Sequence, residues 1–166
     1  MAAFAHVKDS QLAGLLAYYL NLRQGRQMPR RSQISPMDFP RLLSNVFLYE
    51  ATPDGDYMIR LAGEDISRML QTTRAGARLS EVFPAGAFPV MTERFRHICA
   101  TRSVMHNAGH VFQRVGGTGT GERIVMPLLD DADEPRFLLG ATVYALATGD
   151  ASPAGDRSMT ITYTLL

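Results

Sequence analysis

Four histidines are among the residues of this chain that could do chemistry, and their spacing can be tested against metal binding. His106 and His110 lie four residues apart on a predicted strand, so their side chains share one face. The rise of a strand sets them about 13 Å apart, which is too far to bind one metal ion directly. His97 lies off the apolar stripe of a predicted helix and is expected to face away from the core. The sequence therefore predicts no metal site.

Nucleophilic catalysis finds no support in the sequence either. Cys99 is the only cysteine, which excludes an internal disulfide and is typical of a reducing cytoplasm. It lies on the apolar face of its predicted helix, where we expect it to be buried as a small hydrophobic residue. Ser103 and His106 share a segment, but no nucleophile elbow and no orienting carboxylate occur at a recognisable spacing. No catalytic residue is predicted.

Two runs of biased composition could be mistaken for ligand-binding loops. The glycine run Gly116–Gly121 is followed by a predicted strand, Arg123–Leu129, whereas a dinucleotide-binding loop is followed by a helix. A Walker lysine is also missing, so we predict a hairpin loop. The acidic run Asp130–Glu134 lacks the glycine and the terminal glutamate of an EF-hand loop. It predicts a solvated turn between two strands.

A basic segment precedes the main body of the sequence and contains Arg23, Arg26, Arg30 and Arg31. One interpretation is a solvated linker. The other is a site for an anion or a nucleotide phosphate, because guanidinium groups can bind such ligands through bidentate contacts. The sequence leaves both interpretations open.

Length and composition indicate one folded, soluble domain. The chain has 166 residues, of which 46% are hydrophobic and 20% charged, so it can bury a core and is not disordered. The net charge of +1 gives no reason to expect nucleic acid as a partner. No stretch approaches the roughly 18 apolar residues of a membrane span, so no membrane insertion is expected. We predict a cytoplasmic protein.

The elements that would position these residues begin with an amphipathic helix from about Ser10 to Gln24, capped by Asp9 or Ser10. A second helix start is predicted at Ser35-Pro36, and Pro40 either bends that helix or restarts it. The elements that follow are predicted as the strands Val46–Ala51 and Tyr57–Ala62, the helix Glu64–Leu70, short helical turns within Thr72–Val82, the helix Ala87–Thr101, the strands Val104–Val115, Arg123–Leu129 and Arg136–Leu146, a loop at Thr148–Asp156 and an edge strand at Met159–Leu166.

Short motifs occur in a fixed order: Pro29-Arg-Arg-Ser-Gln-Ile-Ser-Pro36, Leu42-Leu43, Tyr57-x-x-Arg60-Leu-Ala-Gly63, Gly76-x-x-Leu79, Val82-Phe83, Met126-Pro127-Leu128 and Leu139-Gly140. Together they resemble a family of stand-alone bacterial PAS proteins that is common in alphaproteobacteria. The match spans roughly Leu12 to Val143. One departure is Tyr18-Tyr19, where members often carry a Tyr-Trp pair.

This resemblance implies an α+β PAS fold. The expected sheet has five antiparallel strands in the order 2-1-5-4-3, with the helices from Glu64 to Thr101 on one face and the N-terminal amphipathic helix in addition. The predicted division is an N-terminal helix and basic linker at 1–34, a PAS core at 35–147, and a C-terminal loop with an edge strand at 148–166.

The resemblance also implies a non-catalytic sensory or regulatory module in signal transduction. Such a module acts through contacts with signalling proteins, and a small ligand is compatible with it. We predict a ligand pocket between the long helix and the sheet. The residues predicted to line it are Phe95, Cys99, Met126, Leu128, Leu139 and Ala141.

The alternative function is an enzyme with a small cone-like α+β fold, in which a pocket carboxylate or histidine does acid–base work. A lining of apolar residues lacks an obvious base and favours binding over catalysis. Haem-binding PAS domains carry a histidine on the corresponding helix, but the outward register of His97 argues against haem. No flavin-type cysteine motif is present either. We therefore predict neither haem nor flavin.

Two further expectations concern Arg60 and the oligomeric state. Arg60 alternates with Tyr57 and Ile59, so it projects from the opposite face of its strand and is predicted to be structural or ligand-orienting. Its expected partners are Glu50, Glu64 or backbone carbonyls. We also predict a homodimer with the N-terminal helix in its interface, because isolated helices of this length are marginal in water.

Overall fold

The computed structural model describes residues 2–71, 75–114, 117–147 and 159–166. Short 3-10 helices at Ala2–Phe4, Arg31–Gln33, Pro36–Asp38 and Pro40–Asn45 precede the first strand. The longer elements are, in chain order, α1 (Ser10–Leu22), β1 (Val46–Ala51), β2 (Tyr57–Ala62), α2 (Glu64–Leu70), α3 (Leu79–Val82), α4 (Phe88–Thr101), β3 (Ser103–Arg114), β4 (Gly117–Leu129), β5 (Pro135–Ala147) and β6 (Met159–Leu165).

The strands form one antiparallel sheet in the order β2-β1-β5-β4-β3-β6. The predicted order 2-1-5-4-3 is confirmed, and β6 extends the sheet by pairing with the outer side of β3. The hairpin between β1 and β2 turns at Gly55, whose φ of +86° suits glycine because it has no side chain to clash.

Helix α1 covers one face of this sheet, called the outer face here. The Asp9 carboxylate caps the helix by accepting hydrogen bonds from the backbone N–H groups of Gln11 and Leu12. The apolar stripe of α1 packs onto inward-pointing side chains of the central strands, so this helix shares a hydrophobic core with the sheet. The buried residues of the stripe are Leu12, Leu15, Leu16 and Tyr19.

The opposite, inner face carries α2, α3 and α4. Their apolar side chains form a second hydrophobic core with the alternate residues of the strands. The sequence predicts an apolar stripe on α4 made of Phe88, Met91, Phe95, Ile98 and Cys99, and of these Met91, Phe95 and Ile98 are buried. The two central strands β4 and β5 are therefore covered on both faces.

Two local predictions need correction. The glycine run was expected to be a hairpin loop, but β4 already begins at Gly117 and continues through the run. A Cβ atom on Gly121 would overlap the carbonyl oxygen of Val143 on β5, so close strand packing requires glycine there. The helix predicted at Ser35-Pro36 is a 3-10 turn, and a separate 3-10 helix begins at Pro40 because proline cannot continue the preceding turn.

Some predictions fall outside the described residues. The predicted loop at Thr148–Asp156 lies there, as do positions 72–74 of the predicted short helical turns. The later part of those turns forms α3. Within the ranges that the structure describes, no helix is both long enough and apolar enough to cross a membrane.

Candidate functional site

A row of buried polar residues crosses the centre of the sheet. Asn107 on β3 pairs with Arg123 on β4, and Arg123 pairs in turn with Thr142 on β5. Their relative exposures are 1%, 8% and 0%. Polar side chains buried to this degree need partners and call for an explanation. We call these three residues the polar row and treat it as the candidate functional site.

Strand alternation turns the polar row towards the helices. Met105 and Val125 belong to the inner-face core, and Asn107 and Arg123 lie two residues from them on the same strands. Residues two apart on a strand point to the same face. The row therefore lies on the inner face, between the sheet and the helices.

Among the described residues, Arg123 forms hydrogen bonds with neutral groups. Its Nε donates a hydrogen bond to Thr142 Oγ1 at 2.8 Å, and its Nη2 donates to the Val111 carbonyl oxygen at 2.8 Å. Nη2 also lies 3.7 Å from Met69 Sδ on α2. Val111 is the extra residue of a β-bulge in β3, which frees its carbonyl from the ladder. Within the described ranges no carboxylate forms an ion pair with this guanidinium.

The electrostatics of the row reflect the burial of Arg123. Burial lowers the pKa of Arg123 because desolvation penalises the charged form. The Tyr49 phenol acts in the opposite direction, and the positive charge of Arg94 lowers the pKa further. An arginine keeps its proton at any physiological pH, so the inner face holds a buried cation close to a second one.

Two further features matter for a ligand, one beside the row and one within it. Arg94 is half-buried on α4, and its Nη1 lies 3.9 Å from Met91 Sδ. Asn107 Oδ1 is buried and has no hydrogen-bond donor among the described residues. Its amide nitrogen lies 3.3 Å from Met159 Sδ, a weak acceptor. The site thus offers both positive charge and an unused acceptor.

The aromatic wall of the inner face is formed by Tyr49, Tyr57 and Phe95. The Tyr57 and Phe95 rings meet edge to face with centroids 5.2 Å apart, and the Tyr49 and Phe95 centroids are 6.0 Å apart. Burial raises the pKa of both phenols, so they stay protonated at neutral pH. They supply apolar surface and neutral hydroxyl groups on the inner face, and Tyr49 is close enough to act on Arg123.

The residues predicted to line one pocket are divided between the two faces. Phe95 and Cys99 pack in the inner-face core. The other four lie in the outer-face core beneath α1, so the structure does not bring the six together. The reason is that both faces of the central strands are apolar, and alternation alone cannot tell which face meets α4. These four residues are Met126, Leu128, Leu139 and Ala141.

The sequence contains a signal for the polar row. Arg123 and Asn107 stand at inward positions two residues from the apolar inward residues Val125 and Met105. A charged residue with apolar residues on either side along a buried strand is exceptional. Its position therefore marks a site, once the face that meets the helices is known.

Arg60 lies on the outer face, away from the polar row. It is the extra residue of a bulge in β2, because Leu48 pairs with Leu61 and Tyr49 pairs with Ile59. Its Nε makes a short ion pair with Glu50, one of the partners expected from the sequence. Arg136 Nη2 binds the other carboxylate oxygen of Glu50 at 2.8 Å.

Only one of the four arginines of the basic segment lines a cleft. An open cleft of about 310 Å³ is lined by Arg26 but by none of the other three predicted arginines. Arg30 forms a bidentate ion pair with Asp133 at 2.9 and 2.6 Å, and Arg23 Nε donates to the Arg26 carbonyl oxygen. The rest of the lining is Gln27, Met28, Arg102, Leu129 and Asp133.

The histidines and the cysteine occupy separate positions. His97 is exposed, as predicted, and its ring lies 4.6 Å from that of Tyr163. His106 is buried on the outer side, and its Nε2 lies 2.8 Å from Glu122 Oε2. Burial raises the pKa of the Cys99 thiol to about 11. In the described ranges no group of three or more His, Cys, Asp or Glu side chains could hold a metal ion.

Comparison with known families agrees with this architecture. A family model described as PAS domain matches residues 7–143, which include α1 and strands β1 to β5 up to position 143. The chain therefore belongs to the PAS domain family. A search of curated proteins finds no match.

Proposed function

We propose that this protein is a sensory or regulatory PAS module of bacterial signal transduction, acting through contacts with other proteins and controlled by a small molecule bound at the polar row. The observation that carries the proposal is the buried guanidinium of Arg123, whose hydrogen-bond partners among the described residues are neutral. A buried charge without a counter-charge is costly to the fold. Binding of a signal molecule accounts for its presence there.

The composition of the site favours binding over catalysis. General acid–base chemistry needs a carboxylate or histidine within hydrogen-bond reach of the substrate. The polar row consists of an amide, a guanidinium and a hydroxyl. The buried carboxylates Glu50 and Asp56 are engaged elsewhere, by Arg60 and Arg136 and by Ser80. We therefore prefer a non-catalytic module to the cone-like enzyme.

The predicted homodimer stays a prediction. The apolar stripe of α1 is buried within the chain, and Tyr18 is engaged as well, because its hydroxyl accepts from the Ser35 N–H and its ring packs edge-on against Phe39. A dimer would therefore use the exposed side of α1 or another surface. Light scattering of the full chain tests it: a mass of twice 18.3 kDa is expected, and a monomer contradicts it.

The proposed control by a ligand can be tested on the protein purified from its native host. Heat denaturation followed by mass spectrometry of the released material should recover a small molecule in stoichiometric amount. The Arg123→Gln variant should release much less of it. Partner proteins captured with the wild type and with this variant should then differ in amount. Identical capture by both proteins, with no molecule released from either, would contradict the proposal.

A further inference from the structure

We infer that the polar row binds a small organic anion that also carries a hydrogen-bond donor, the chemistry of a hydroxy acid or an amino acid. The anionic group would contact Arg123 and the donor would contact Asn107. This inference rests on the proposed ligand-controlled function and specifies the class of ligand.

The need for negative charge follows from the surroundings of Arg123. The elements packed around it contribute Thr142 from β5, the Val111 carbonyl from β3 and the sulfur of Met69 from α2. The charged group that acts on it from α4 is Arg94, which is also positive. A carboxylate in contact with Arg123 would supply the counter-charge that the described residues do not provide, and it would form strong charge-assisted hydrogen bonds.

The need for a donor follows from Asn107. Its Oδ1 is buried and receives no hydrogen bond from the described residues. A buried carbonyl oxygen without a donor costs free energy that a ligand hydroxyl or ammonium could recover. Asn107 stands directly opposite Arg123 in the β3–β4 ladder, where paired side chains start about 5 Å apart. One small molecule can therefore reach both groups.

The experiment is a calorimetric titration of the dialysed full chain with defined probes. L-malate, L-lactate and L-serine each carry a carboxylate and a donor. Succinate carries the carboxylates without the hydroxyl, malamide carries the hydroxyl without charge, and inorganic phosphate tests simple anion binding. We expect at least one of the first three probes to bind about tenfold or more tightly than succinate, malamide and phosphate, the loss expected for one charge-assisted contact.

Variants assign the binding to the polar row. Arg123→Gln and Arg94→Gln should each weaken binding of the best probe, and Asn107→Ala should reduce it to the level of succinate. Arg96→Gln is the matched control, because Arg96 is an exposed residue of α4 that pairs with Glu93 at the surface. It should leave binding unchanged. Circular dichroism identifies any variant that fails to fold, and the remaining variants still test whether the probe binds at the polar row.

The outcomes separate this inference from the proposed function. If none of the first three probes binds more tightly than succinate, the donor requirement is overturned, and if none binds more tightly than malamide, the anion requirement is overturned. In both cases a ligand still binds, so the proposed function stands. Phosphate as the tightest probe shows an inorganic anion site and overturns the inference. If no probe binds and the native protein releases no small molecule, both fail.

Discussion

The Tyr19 hydroxyl on α1 donates a hydrogen bond of 2.6 Å to the Pro127 carbonyl oxygen on β4. Both partners are buried, and burial raises the pKa of the phenol, so it remains a donor at all physiological pH values. Pro127 lies beyond Val125, the last β4 residue that pairs with β3. Its carbonyl is therefore available to a side chain, and α1 is fixed to the sheet at this point.

Replacing Tyr19 by phenylalanine should destabilise the protein by about 1–2 kcal/mol, because the Pro127 carbonyl would be left buried without a donor. The free energy of unfolding from urea titration measures this. Tyr163→Phe is the control, since Tyr163 is 39% exposed on the edge strand β6. Equal stability of the wild type and Tyr19→Phe would show that this hydrogen bond contributes nothing.

The protein should lose little stability when one of the two arginine partners of Glu50 is removed, and much more when both are removed. Its side chain is 10% exposed, whereas those of Arg60 and Arg136 are each 48% exposed. Arg60→Ala or Arg136→Ala alone should cost about 0.5–1 kcal/mol. The double variant should cost clearly more than the sum, because it leaves a nearly buried carboxylate unpaired. Additive costs in a double-mutant cycle would contradict the shared role of the two arginines.

The chain before α1 should become less firmly docked in acid. Glu122 accepts hydrogen bonds from the Lys8 and Asp9 N–H groups at 3.0 and 3.1 Å, and His106 lies beside it. Burial acts to raise the pKa of Glu122, but these contacts outweigh it and hold the pKa below 4.5. This contribution is therefore complete above pH 4.5 and is lost as the pH falls through the folded-state pKa.

The test is the difference in unfolding free energy between the wild type and Glu122→Gln as a function of pH. The difference should be constant above pH 4.5 and shrink below it. His6 is present in both proteins; burial and His106 lower its pKa below 6.5, so its protonation favours the unfolded state of each. A difference that does not change with pH would exclude Glu122 as the responsible group.

Cys99 should react slowly with thiol reagents in the folded protein. Burial raises its pKa to about 11, and the thiolate is the reactive form. At pH 8 we expect slow labelling by Ellman's reagent, with full reaction only after addition of denaturant. Rapid labelling of the native protein would show that α4 opens readily from the sheet.

Much of the fold could be predicted because local signals agreed with the tertiary structure. The bounds of α2 at Glu64–Leu70 and of the β1–β2 hairpin were predicted as observed, since a Pro-Asp-Gly turn and a helix-starting glycine delimit them. The start of β4 was placed too late, because glycine usually ends a strand. At Gly121 the close contact with the Val143 carbonyl reverses that preference.

The site could be predicted less well, because its residues come from three strands that pair over long distances. Asn107, Arg123 and Thr142 are neighbours only through the register of β3, β4 and β5. Alternation along β4 gives two sets of apolar residues, one on each face of the sheet. Which set faces the ligand site depends on which helices cover which face. No local pattern contains that information.

Strand β4 is buried on both faces. Consecutive residues of this strand therefore belong to the proposed ligand site and to the surface on which α1 packs. Arg123 points to the inner face and Ile124 to the outer core beneath α1. Adjacent residues of a strand are joined by a planar peptide unit, so a shift of the backbone at Arg123 also shifts Ile124. A ligand that moved the backbone of β4 at Arg123 would therefore also move the support of α1 on the other face. The signal would need no relay of intermediate side chains.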